Sequence, residues 1–154
     1  MIDDYPGSSL LALSQYSIAQ SYRKLDNYEQ AVIEYNKVIE NYPESDYPAP
    51  AQYYIGYSYY EAQDYIQAII EFQKVIINYP DDIWLDGQNR LVAPCAQYYI
   101  GWCYGQKLGQ WGNAISAFQL IIDNYPNSTW GGGSSIPADA QSRIDWINDN
   151  HPPG

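Results

Sequence analysis

The sequence predicts an all-α fold, an α-α superhelix of three helical hairpins followed by a C-terminal capping helix. Three observations carry that prediction. A phrase closing on Tyr-Pro recurs four times, as Ile2-Asp3-Asp4-Tyr5-Pro6, Ile39-Glu40-Asn41-Tyr42-Pro43, Ile76-Ile77-Asn78-Tyr79-Pro80 and Ile122-Asp123-Asn124-Tyr125-Pro126. Between the copies, two segments per interval repeat their residues at helical spacing. The prolines stand 37, 37 and 46 residues apart, the period of stacked supersecondary units rather than of one folded layer.

Taken in order, residues 1–7 read as the end of a preceding repeat, because they hold the closing phrase without the helix that should lead into it. Residues 8–43 form repeat 1, residues 44–80 repeat 2 and residues 94–126 repeat 3. The first helix of each contains an Ile beside a small residue and four before an aromatic: Ile18, Ala19 and Tyr22; Ile55, Gly56 and Tyr59; Ile100, Gly101 and Tyr104. Residues four apart share a helix face, and a small residue on that face admits a close neighbour. The second helix carries Ala31, Tyr35 and Val38, then Ala68, Phe72 and Val75, then Ala114, Phe118 and Ile121. That i, i+4, i+7 spacing marks one buried stripe. It stops at Tyr-Pro, since proline cannot continue a helix and disfavours helical geometry in the residue before it.

Two junctions are enlarged. Residues 81–93 carry Ile83, Trp84 and Leu85 before Gly87, and residues 127–137 are rich in Gly and Ser around Trp130; both read as surface loops whose tryptophans tuck back onto the hairpin. Residues 138–150 restart the first-helix phrase at Ala138-Asp139-Ala140-Gln141. There Asp145 replaces the small residue and Asn148 the aromatic, which reads as a polar capping helix over the last hairpin.

This pattern resembles the tetratricopeptide repeat, a helix-turn-helix unit with a small residue in its first helix, Ala and an aromatic in its second, and a closing Pro. The Tyr-Pro phrase followed by Ala-x-Ala-Gln is similar to the extracytoplasmic bacterial branch, of the Tol-Pal-associated cell-division coordinator and outer-membrane-assembly lipoprotein type. The resemblance implies a periplasmic or secreted, non-enzymatic scaffold with a concave groove lined by first helices. Carried onto this sequence, the groove positions are Tyr16, Gln20 and Arg23, then Tyr53, Tyr57 and Tyr60, then Tyr98 and Trp102. Tyr and Trp give large contact area at low entropy cost and keep a polar tip, which suits a peptide or a sugar.

Composition narrows the partners further. Seven basic against 18 acidic residues leave a net charge of −11, which disfavours nucleic acid and anionic membrane surfaces. No apolar run approaches the roughly 20 residues of a membrane span. His151, the single histidine, stands beside two prolines near the terminus, so no base is placed for a triad or a zinc site. Asp81, Asp82, Asp86 and Gly87 resemble a calcium loop only weakly, without its alternating acids and closing Glu. No cofactor or metal is expected. Glu29, Glu34, Glu40 and Glu44 read as solvated helix faces. Cys95 and Cys103 lie too far apart along one helix to pair and read as free thiols. Asn127-Ser128-Thr129 is a glycosylation triplet on a loop. Besides peptide binding, two other functions fit the same sequence: end-to-end self-assembly into a fibre or surface layer, and glycan binding.

Overall fold

The computed structural model describes residues 6–152, and side chains from Ser9 onward; the fragment assigned to a preceding repeat falls largely outside that range. Seven α-helices and no sheet strands make up the described residues: α1 (Pro6–Lys24), α2 (Tyr28–Asn41), α3 (Pro48–Glu61), α4 (Tyr65–Asn78), α5 (Ala93–Trp102), α6 (Trp111–Asn124) and α7 (Ile136–Asn150). Each helix packs on the next in sequence, giving three hairpins with α7 laid over the last.

Local chemistry sets the boundaries. Asn27 and Asp64 cap α2 and α4, accepting from the backbone N–H of Gln30 at 3.2 Å and Gln67 at 3.1 Å. The hairpin turns reverse through one left-handed residue each, Asp26, Gln63 and Gly109. At the other end α2, α4 and α6 all stop at Asn, with Tyr42, Tyr79 and Tyr125 as the residue after the last turn. The Tyr-Pro phrase therefore ends the helices where its chemistry requires.

The small residues of the first helices do allow close approach. A Cβ built on Gly56 would lie 2.8 Å from the Phe72 ring, and one on Gly101 2.8 Å from the Phe118 ring. These pairs sit in a continuous core with Ala68, Val75, Ala114 and Ile121.

Three details depart from the sequence reading. Glu34 is not a solvated residue: it is 7% exposed and accepts from Gln15, Gln30 and Lys37. Glu71 repeats the arrangement with Gln52, Gln67 and Lys74, so a Gln from the first helix is tied to a Glu of the second in two hairpins. In the third, Ala117 stands in the Glu position and Gln97 donates to its backbone carbonyl at 3.1 Å. The second departure follows α5. Hairpin 3 has one residue more than its predecessors between its first-helix Tyr104 and Ala114, and the surplus is absorbed in a π-helical turn over Cys103–Lys107.

The third concerns the face of α1. Ile55, Ile100 and Ile144 are 2%, 4% and 7% exposed against the preceding hairpin, whereas Ile18 is 46% exposed. Leu10 and Leu11 are open on the same helix, and Leu25 just beyond its last turn. Among the described residues nothing packs where a preceding second helix would lie.

Candidate functional site

The repeated tyrosine of the first helices, Tyr16, Tyr53 and Tyr98, occupies the same aromatic setting in every hairpin. Its ring meets the aromatic of its own second helix, Tyr35, Phe72 or Phe118, at 5.6, 5.4 and 5.3 Å between centroids. It also meets an aromatic from the junction that follows, Tyr47, Trp84 or Trp130, at 5.3, 4.8 and 5.0 Å. The two enlarged junctions fold back by one device. Trp84 N–H donates to the Arg90 carbonyl at 2.8 Å and Trp130 N–H to the Ser134 carbonyl at 2.9 Å, each beside a single antiparallel bridge, Ile83 with Leu91 and Thr129 with Ser135. Both tryptophans stand five residues after the Tyr of the closing phrase, as Tyr47 does.

This setting draws the ladder inward. Tyr53 is 7% exposed, and burial pushes the Tyr16 and Tyr53 hydroxyls well above the ordinary tyrosine range. The open surface comes from their neighbours. Arg23, Tyr54, Tyr57, Tyr99, Trp84, Arg90 and Trp130 join Tyr53 and Cys95 around a concave pocket of about 350 Å³. It draws on α1, α3, α5 and both enlarged junctions, so no single hairpin could form it.

Of the eight groove positions assigned from sequence, Arg23, Tyr53 and Tyr57 line this pocket. Tyr60 flanks it, 5.6 Å from Tyr57 and 5.4 Å from Tyr99. Tyr98 and Trp102 lie further along, joined by Arg143, whose Nε donates to the Tyr98 hydroxyl at 3.0 Å and whose guanidinium covers the Trp102 ring at 4.4 Å. Tyr16, with Gln20 beside it, is packed among Tyr35, Tyr47 and Tyr54 and stands outside the pocket lining. Tyr54 and Tyr99, one residue past the ladder, were missed. The doubled Tyr-Tyr of the second and third phrases is the signal that could have found them. Arg90, Trp84 and Trp130 sit in aperiodic segments, where spacing gives no direction.

The electrostatics are local. Arg23 Nη1 donates to Glu61 Oε2 at 2.8 Å, and its guanidinium lies 5.1 Å and 5.3 Å from the Tyr54 and Tyr57 ring centres. Arg90 pairs with Asp86, and Asp86 also accepts from Gln88 N–H at 2.9 Å. Of the acids that resembled a calcium loop, Asp86 is therefore engaged in holding the junction. Cys95 lies under the pocket floor with its thiol pushed up to about 11 by burial; it and Cys103 are unpaired. Asn127 is exposed on the rim of a second pocket of about 410 Å³ between the two junctions.

Comparison with known proteins places this geometry in a family. A family model described as YfiO, outer membrane lipoprotein, matches residues 10–150. The chain belongs to the YfiO family. Of the two bacterial types that the Tyr-Pro phrase resembles, the match is to the outer-membrane lipoprotein and not to the Tol-Pal-associated coordinator. No curated protein matches the sequence. The YfiO match spans all three hairpins and α7, hence every residue of the pocket. Membership in a family of outer-membrane lipoproteins points to an extracytoplasmic setting, and among the described residues no helix is long and apolar enough to cross a membrane.

Proposed function

We propose that the protein is a non-enzymatic interaction scaffold, periplasmic or secreted, whose concave aromatic face holds an extended segment of a partner protein. One observation carries this reading: a single pocket built from three successive hairpins and two folded-back tryptophans. A surface that exists only across repeats is suited to a ligand that runs across them. Ring orientation favours peptide over glycan. Tyr53 stacks on Tyr57 at 14°, Phe72 on Tyr99 at 25° and Tyr35 on Tyr54 at 14°, so ring faces are engaged with one another. A tyrosine with one face stacked has less ring surface to offer a sugar, and its edge and hydroxyl suit backbone and side-chain hydrogen bonds.

The test is a spot array of random-sequence dodecapeptides probed with the wild-type protein and with Tyr57→Ala and Tyr99→Ala. Both substitutions should lower binding several-fold while far-UV circular dichroism is unchanged. Unchanged binding overturns the groove assignment, and binding to a sugar array in place of peptides transfers the face to glycans.

Self-association is a second reading, favoured by the open face of α1. Leu11, Ser14, Ile18, Ser21 and Leu25 follow heptad spacing, and Ser14 and Ser21 turn their hydroxyls onto backbone carbonyls at 2.8 Å. No charged residue occurs from Pro6 to Tyr22, so two copies could meet there without repulsion. The exposed side of α7 carries Asp145, Asn148 and Asp149, and its one exposed large apolar residue, Trp146, is packed on Trp111 and His151, so this contact would close as a symmetric pair and not extend into a fibre. Sedimentation of wild type against Ile18→Glu over a range of concentrations decides it: a monomer throughout removes the reading.

A further inference from the structure

Each second helix turns one row of positions, spaced i, i+4, i+7 and i+11, away from its buried stripe. In α2 the row holds Glu29, Ile33, Asn36 and Glu40, and in α6 it holds Gly112, Ser116, Gln119 and Asp123. In α4 it holds Ile66, Ile70, Gln73 and Ile77. Every one of these residues is exposed. The third position keeps an amide in all three hairpins, but α4 alone fills the other three with isoleucine, and those side chains are 57%, 42% and 74% exposed. An exposed isoleucine standing singly, as Ile33 does, needs no explanation. Three in one row, where the sister helices place mainly Gly, Ser and carboxylates, make an unpartnered apolar stripe.

The stripe continues across a neutral groove. Gln73 lines a groove of about 280 Å³ together with Ser116 and Leu120 of α6, and no charged residue belongs to its lining. Leu120, 46% exposed, stands where the first two hairpins have Lys37 and Lys74. Those lysines are held by Glu34 and Glu71 at 2.9 and 2.8 Å; hairpin 3 has Ala117 in the glutamate's place, so both members of the pair are apolar there. The surroundings are acidic. Lys37 and Lys74 are the only cations of the three second helices, and both are engaged in these ion pairs. All three arginines lie elsewhere, Arg23 and Arg90 in the aromatic pocket and Arg143 over Trp102. Exposed carboxylates flank the stripe: Asp64 before α4, Asp81 and Asp82 beyond its end, and Glu29, Glu40 and Asp123 in the matching rows of α2 and α6.

We infer that the outer face of α4 is a second docking surface, taking one amphipathic helix of a partner protein whose apolar stripe is bordered by Lys or Arg. Three features set the occupant. The i, i+4, i+7, i+11 spacing is the seam of packed helices, and from Ile66 to Ile77 it runs about 16 Å, a length that a partner helix of roughly four turns covers. Gln73 in mid-seam calls for a polar residue opposite, which fixes the register of the pair. The flanking carboxylates complement a basic border and repel a second copy of this chain, whose net charge is −11, since like charges brought together disfavour association. No residue of α2, α4 or α6 lines the aromatic pocket, so this surface stands or falls separately from the peptide groove.

The probe is a panel of fluorescein-labelled synthetic helices roughly three heptads long, with Leu, Ile or Phe at the a and d positions and Lys at e and g. Each has two companions, one with Glu in place of Lys and one of the same composition shuffled so that no stripe forms. Fluorescence anisotropy with the wild-type protein should show a Lys-bordered helix binding at least about tenfold more tightly than both companions. Ile70→Ser and Ile77→Glu, which copy the equivalents Ser116 and Glu40, should each weaken that binding by about tenfold, with thermal melts verifying that both variants are folded. Tyr57→Ala should leave it unchanged. Absence of binding by every Lys-bordered helix, equal binding of the shuffled companion, tighter binding of the Glu-bordered one, or undiminished binding to both isoleucine variants overturns the inference. Loss of binding in Tyr57→Ala alone seats the helix in the concave groove and likewise overturns it. So does a wild-type dimer in sedimentation that Ile70→Ser dissolves and Ile18→Glu does not, because the seam then belongs to a second copy.

Discussion

Replacing Gly56 by Ala sets two opposed effects against each other. Alanine gains about 0.5–1 kcal/mol over glycine in a helix interior. The added methyl, however, would lie 2.8, 2.9 and 3.0 Å from three carbons of the Phe72 ring, closer than any relaxed contact. Relief requires the ring to move. Phe72 is fully buried and held by Tyr53 at 5.4 Å and Tyr99 at 5.6 Å, so its shift would propagate into the pocket wall. Overpacking of this kind costs about 1–3 kcal/mol, leaving a net loss near 1–2 kcal/mol once helix propensity is credited. For a protein of this size that lowers the melting temperature by roughly 2–8 °C. Gly112→Ala is the internal control: nothing lies within 4 Å of its added Cβ, and it should stabilise by a few tenths of a kcal/mol. Thermal melts followed by circular dichroism read both. Should Gly56→Ala melt at or above the wild-type temperature, close approach is not why glycine stands there.

Further outcomes follow from the hairpins themselves. Lys37, assisted by Gln30 and Gln15, holds the Glu34 carboxyl below its ordinary 4.5 against the opposing effect of burial; its contribution is therefore full above that pH and lost as pH falls through the depressed folded value. Glu34→Gln should cost about 1–3 kcal/mol at pH 7 and flatten the acid limb of a urea-midpoint profile, and an unchanged limb would remove Glu34 from that account. Gln63 sits at φ 67°, a left-handed conformation that glycine adopts without strain, so Gln63→Gly should raise stability by about 0.5–1 kcal/mol, read as the urea midpoint. Burial pushes the Cys95 and Cys103 thiols up to about 11 and about 12, leaving almost no thiolate at pH 8. Neither should react with a disulfide reagent in the folded protein, and both should react at once in guanidinium; rapid labelling of the native protein would contradict their burial.

The hairpins were legible because their determinants are local and periodic. Proline after tyrosine, a stripe at i, i+4 and i+7, and a small residue facing it each act within a few residues of their own position. Glu34 was misread for the opposite reason. Its partners on its own helix, Gln30 and Lys37, are what a solvated residue would have, and only Gln15, which reaches it from the other helix, marks it as an interior group. The π-helical turn was countable, as one extra residue before Ala114, but a count does not say which backbone form absorbs the surplus. For the groove, the repeated tyrosine was found and its direction was not. Whether Tyr53 faces a ligand or Trp84 depends on where an irregular junction folds back, which two backbone hydrogen bonds and one bridge determine.

The folded-back junctions have a practical consequence. Each hairpin ends in its own aromatic flap, seated on its own tyrosine, and the two long flaps are interchangeable in their anchoring bonds although different in length. Binding surface is thus specified in cassettes. Transplanting residues 81–91 into the short link between Pro43 and Pro48 would bring a tryptophan and an arginine to Tyr16, and with them the makings of a second pocket one repeat upstream, leaving the helical scaffold untouched.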